Sequence, residues 1–266
     1  EQWNTDPSAR EVVYRGLSES VATAAVLTDI TRYPHLFGQQ PDLYRGFMER
    51  TWSNASADGV ASLIHPESHF TEKKAVPLRR GAYLRLRRHW QFENRLRLFE
   101  EPDSKQTFSV SVSGQKKEEP AFLNASSLYH PSTVLGSLVH NGSGPEPGFK
   151  TEDGEWDLSP HKQRINTVDP TVLSSWHAFW GDEDSTPGDP RIVYSVNRLS
   201  QSLLSTLVGF PPIASLEFQS SRGWDESNDR KKGAFDFRQS GTADEWNEIV
   251  MKGRQIRIGL PLAQEP

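Results

Sequence analysis

Residues 42–113 carry, in strict order, an amphipathic stretch, a turn, a short apolar run, a second and strongly basic amphipathic stretch, and two strand-like runs. Asp42 is placed to cap a helix whose stripe is Leu43, Phe47, Met48 and Trp52, and Asp58-Gly59 ends that segment. Residues 60–64 are β-branched and nearly all apolar, which suits a strand covered on both faces in a parallel sheet flanked by helices. Ala75, Leu78, Ala82 and Leu86 recur at three- and four-residue spacing, so AVPLRRGAYLRLRRHW reads as a helix lying on that sheet. FENRLRLFE reads as a strand. Phe108, Val110 and Val112 alternate with Ser109, Ser111 and Ser113, the pattern of a half-exposed strand. The chain is therefore expected to be α/β.

The flanks are less regular. Residues 1–41 read as helical, with Val21, Ala24, Ala25 and Thr28 on one small-residue face before the Tyr33-Pro34 break. Residues 115–190 are rich in Gly, Pro and acidic turns, including Asp182-Glu183-Asp184, which is expected to be a solvated turn. A further compact piece is expected from Arg191, with a helix near residues 200–208 and strands at 215–219 and 255–260. The division predicted is 1–117, an incomplete α/β part; 118–190, a loop-rich connection; and 191–266, the start of another region.

Composition excludes several classes. With 35% apolar residues and eight Trp, the chain can bury a sizeable core. No apolar run approaches the length of a bilayer span and no signal peptide opens the chain, so no membrane role and a cytoplasmic location are expected. Zero cysteines exclude disulfides and thiolate metal sites. The net charge of −5 argues against a simple polyanion binder, but it averages over local patches.

Taken together, GVASLIHPESHFTEKKAVPLRRGAYLRLRRHWQFENRLRLFE and TFSVSVSG resemble the adenine-specific DNA methyltransferases of large restriction–modification and phage-defence proteins. The match runs through Ile64-His65-Pro66, Leu78-Arg79, Leu98-Phe99 and residues 108–112, covering residues 40–115 well. Residues 215–266, with Trp224-Asp225-Glu226, Lys231-Lys232-Gly233, Phe235, Trp246 and KGRQIRIGLPLAQEP, resemble the opening of a target-recognition region. The resemblance implies the C-terminal half of a Rossmann-like methyltransferase sheet with flanking helices, then a linker and a partial α+β recognition region. It implies S-adenosyl-L-methionine as donor, double-stranded DNA as substrate, and direct methyl transfer to the amine of a flipped adenine. The donor-binding Gly-rich turn and the Asn- or Asp-Pro-Pro-aromatic motif are missing; Phe210-Pro211-Pro212 and Asp189-Pro190 do not fit it. The remainder of the polypeptide or a partner subunit must then hold the donor, and this chain alone is expected to be inactive.

Residues 73–97 hold nine Lys or Arg against one acid, Glu93. Lys73, Lys74, Arg79, Arg80, Arg87 and Arg88, with Lys231 and Lys232 downstream, are candidate phosphate contacts, or else a solvated helix face. His65, Pro66 and Glu67 close the apolar run at its carboxyl end, where open α/β sheets place ligands. They are candidates for the rim of the target-base pocket, for an ordinary loop, or for a hydrolase metal pair of His65 and His69 with Glu67 as base. Phe99 occupies the family position of an aromatic that stacks on the extruded base, and equally suits sheet core. Trp224 and Trp246 are possible recognition anchors. A non-catalytic DNA-binding or specificity fragment is the main alternative to a methyltransferase part.

Overall fold

The computed structural model describes residues 6–211, 215, 226–233, 256–257 and 260–261. The first unit, residues 1–211, is built on a five-stranded sheet with spatial order β1-β3-β2-β4-β5: Ala61–Pro66 (β1), Leu86–Glu93 (β2), Thr107–Ser113 (β3), Phe122–Leu128 (β4) and Asn166–Val168 (β5). Only the β2–β4 pair is parallel; β1–β3, β3–β2 and β4–β5 are antiparallel. The fold is thus mixed α/β with a mostly antiparallel sheet.

β1 is accordingly not a central parallel strand. It is the sheet's edge, with Leu63 and His65 turned inward and Ile64 61% exposed. Apolar residues at successive positions misled here because one of the two faces is only thinly covered.

Helix Val76–Tyr83 (α4) stops short of the predicted length, and residues 86–93 form β2 instead. Leu86 is buried under either reading, so the helical spacing could not decide. The inward face of β2 is polar, with His89 and Gln91, which hid the strand's period. The expected strand ending in Leu98-Phe99 is a 3-10 turn, Asn94–Leu96, followed by Arg97 at φ 51° and a loop. Asn94 organises that loop: its side chain bonds both the N–H and the carbonyl of Phe99, at 3.0 and 2.8 Å, and the carbonyl of Pro102 at 3.1 Å.

Segment 118–190 is far from structureless. It supplies β4 and β5 and the helices Pro131–Val139 (α5) and Pro170–Trp180 (α6), so the sheet continues past residue 117. Earlier, Pro7–Leu27 (α1) is helical as expected, but only Leu27 is buried. Asp42 caps Leu43–Asn54 (α2) through Tyr44 N–H, at 3.3 Å. The buried side of α2 is Arg45, Gly46, Met48 and Glu49, whereas Leu43 and Phe47 face outward. A short helix, Ser68–Thr71 (α3), follows β1, and Arg198–Leu207 (α7) lies in the predicted downstream helix.

The core lies on both faces of the sheet. Met48, Phe70, Tyr83, Leu86, Phe122, Leu173, Trp176 and Ile192 form one layer. Trp90, Phe92, Ala125, Leu128, Val134 and Ile165 form the other. In the second unit, residues 212–266, helix Glu226–Lys231 (α8) and a short antiparallel pair, Ile256–Arg257 (β6) with Leu260–Pro261 (β7), are described. Trp224, Phe235 and Trp246 and the predicted strand at 215–219 (apart from residue 215) lie outside the described residues. Among the described residues no helix is long and apolar enough to cross a membrane.

Candidate functional site

Beneath the inward face of β1, β3 and β2 the sheet buries polar side chains instead of aliphatic ones. His89 on β2 lies 3.1 Å through Nε2 from Glu67 Oε1, and 2.7 Å through Nδ1 from Asn124 Oδ1 on β4. Neither acceptor carries a proton to give, so both ring nitrogens donate and the imidazole is protonated. Tyr194 O–H donates to the other Glu67 oxygen. Burial alone would raise the Glu67 pKa, but the His89 charge and the hydrogen bonds from His89, Ser109 and Tyr194 outweigh it and lower it. Burial likewise opposes protonation of His89, and Glu67 with Asn124 reverses that and raises its pKa. Burial and the neighbouring Glu67 charge push the Tyr194 phenol well up, keeping it a donor.

Two further imidazoles sit beside this pair in the opposite state. His65 Nδ1 is 2.9 Å from Pro66 O, and its ring lies parallel to Tyr44 and edge-on to His69. Burial holds both His65 and His69 below the ordinary histidine pKa, and the nearby cations push His69 further down. Their Nε2 atoms are buried without a hydrogen-bond partner. Among the described residues no three His, Cys, Asp or Glu side chains come together to hold a metal ion. The proposed His65/His69 pair with Glu67 as base thus lacks a third ligand, and Glu67 is already engaged by His89.

What the arrangement does is join distant segments: the turn after β1, β2, β4 and residues 189–194. Arg79 adds to it. Fully buried, it donates to Asp189 O at 2.8 Å, Glu72 O at 2.8 Å and His69 O at 3.3 Å. Tyr83 O–H donates to Pro190 O at 3.0 Å. Arg45 on α2 reaches Glu72 at 2.7 Å and Gln39 at 3.1 Å.

The sequence candidates therefore divide. His65 and Glu67 come together beneath one face, with Pro66 exposed at the end of β1. Phe99 is not with them. It is 42% exposed and packs edge-on against Phe108, 4.9 Å between centroids, on the face opposite Ser109. Arg79 is a structural brace and no phosphate contact. Lys73 pairs with Asp182 at 3.3 Å and Arg80 with Asp189 at 3.4 Å, while Lys74 and Arg88 are exposed. Arg87 is half-buried and bonds Gln115 O at 2.7 Å. Lys231 and Lys232 are exposed at the end of α8, with Lys232 3.6 Å from Asp229. Asp182 is buried and paired with Arg191 and Lys73, so the acidic run is not simply a solvated turn.

Sequence reasoning missed His89, Asn124, Tyr194 and Arg45. The available signal was the polar alternation Arg87, His89, Gln91 between Leu86 and Phe92, which marks one face of a strand. No comparable signal marks Tyr194.

A methyl-donor cradle needs a glycine turn between a strand and the helix after it. Among the described residues the glycines of positive φ are 38, 142, 144, 154, 181 and 233, and none stands between a sheet strand and a following helix. The described residues do not fit the donor.

The sequence matches no family model and no curated protein. Among solved structures it is similar to the type IIG restriction endonuclease BpuSI, at 14% identity and TM-score 0.32, over 57% of this chain and 19% of that one. It is also similar to the M protein of the type I restriction enzyme EcoKI, at 12% identity and TM-score 0.34, over 75% and 49%. The chain thus spans well under two thirds of either protein.

Proposed function

We propose that this chain is part of a DNA adenine methyltransferase of a restriction–modification or phage-defence protein. In this reading the rest of the polypeptide, or a partner subunit, holds S-adenosylmethionine and passes its methyl group directly to the amine of a flipped adenine in double-stranded DNA. The observation that carries the reading is the antiparallel β2–β3 pair that follows α4. A helix followed by two adjacent antiparallel strands is what the sequence resemblance calls for, although the first of them is residues 86–93 and not the run ending in Phe99, and β1 with Pro66 at its carboxyl end lies beside β3. Phe99, 42% exposed, leaves part of its ring open for a base to stack on.

The second reading, a non-catalytic DNA-binding or specificity part, is favoured by one feature. Glu67 and His89 are buried and internally paired, so neither is free to move a proton for a substrate. Both readings give the same role to this chain's surface and differ in chemistry.

The test is to produce the complete protein carrying this chain in a host that lacks adenine methylation, and to assay its DNA for N6-methyladenine. Methylated adenine at a defined site is expected. Duplex binding without any methylation would leave the specificity-subunit reading and remove the methyltransferase one.

A further inference from the structure

The cations expected along α4 are mostly spoken for. Arg79 is buried, and Lys73 and Arg80 each reach a carboxylate, Asp182 (shared with Arg191) and Asp189. A different group is not. Where residues 84–88 meet residues 113–117, backbone bonds from Gly114 N to Arg85 O (2.9 Å) and from Lys117 N to Leu84 O (2.8 Å) staple the two segments together. That corner gathers Arg87, Arg88, Lys116 and Lys117, and none of the four forms an ion pair among the described residues. Gly114 makes the approach possible: a Cβ there would lie 3.1 Å from the Arg87 guanidinium. Arg87 spends its donors on the carbonyls of Arg85 and Gln115, at 2.9 and 2.7 Å, which fixes its position without cancelling its charge. Partial burial, and after it the Arg87 charge, hold the Lys117 amine below the ordinary lysine range. Glu118 and Glu119 follow directly but reach none of the four within ion-pair distance.

We propose that the phosphate backbone of duplex DNA docks on this corner, through Arg87, Arg88, Lys116 and Lys117, and not along α4. The inference rests on the DNA-acting reading above and adds the surface. A duplex carries one negative charge per about 1.7 Å of axis, so cations without carboxylate partners on two adjoining segments, with Lys117 held by the Ala121 carbonyl at 2.5 Å, are its electrostatic complement. Cations already matched to internal carboxylates release few counterions on binding, which is why α4 contributes little.

The experiment is anisotropy titration of a labelled duplex of arbitrary sequence with the full chain at several salt concentrations. Arg88→Gln with Lys116→Gln changes two exposed side chains that brace nothing else in the described fold, so the variant is expected to keep the parent's melting profile. It should weaken binding roughly tenfold and reduce the salt slope by nearly two units, at about 0.9 per lost phosphate contact. Lys73→Gln with Arg80→Gln should leave the slope unchanged. An unchanged slope in the corner variant overturns the assignment even where the methyltransferase reading holds. Wild-type chain that ignores the duplex but binds polyglutamate or phosphatidylserine vesicles overturns it too. Loss of slope without N6-methyladenine in the cellular assay would keep the surface and remove the enzyme reading.

Discussion

His89 reaches Glu67 Oε1 at 3.1 Å and Asn124 Oδ1 at 2.7 Å, so a fully buried imidazole points both nitrogens at acceptors. These partners raise the His89 pKa, whereas burial lowers those of its neighbours His65 and His69.

The sign of each contribution to stability follows from linkage. His89 has a raised pKa, so its contribution is full below the unfolded value of 6.5 and is lost as pH rises through the folded value. His65 and His69 have lowered pKa values, so theirs is present above 6.5 and is lost as pH falls. Glu67, also lowered, adds a further loss only below 4.5. Thermal stability should therefore peak near pH 6.5 and fall on both sides. His89→Leu should cost about 3–5 kcal/mol, because it strands a buried carboxylate; His89→Leu combined with Glu67→Gln, which leaves neither charge, should abolish the alkaline limb and keep the acid one. Melting temperature against pH, for the parent and both variants, is the measurement; an alkaline limb that persists in the double variant refutes the ion pair.

Arg79 should behave as a brace. Arg79→Ala orphans the carbonyls of Asp189, Glu72 and His69 and should cost about 3 kcal/mol or more in a denaturant melt. Arg79→Lys should recover only part of that, since one ammonium cannot replace the guanidinium fork. The salt slope of duplex binding by the folded variant should match the parent. A lower slope would restore Arg79 as a phosphate contact.

Phe99 separates stacking from packing. At 42% exposure, Phe99→Ala should cost well below the ~3–5 kcal/mol of a core phenylalanine. If it stacks on the extruded adenine, the same change in the complete enzyme should remove roughly 1–3 kcal/mol from binding of a duplex with the base flipped. Phe99→Trp should retain activity. A fully active alanine variant would end the stacking assignment.

Titration calorimetry of the 266-residue chain with S-adenosylmethionine at high donor concentration should be flat, because the described strand-to-helix turns carry no glycine of positive φ. Saturable heat would mean that the chain holds a donor cradle after all.

Local chemistry was legible wherever one short-range rule acted alone. Asp42 capping α2, the Phe108/Val110/Val112 alternation of β3 and the helix near residue 200 needed only the chain's own spacing and end groups. Those signals arise between residues a few positions apart. The sheet order, the exposure of β1 and the strand at residues 86–93 did not, since each depends on which distant segment lies alongside. His89 marks the boundary most clearly. Its side chain gains meaning only when β2 lies between β3 and β4 and brings Glu67, 22 positions before it, and Asn124, 35 after, into contact. A polar residue facing a sheet's interior looks like a solvated one until its partners arrive, because desolvation and pairing are both tertiary events. The same holds for the cations: sequence counted nine between residues 73 and 97, and only the fold decided which had already met a carboxylate.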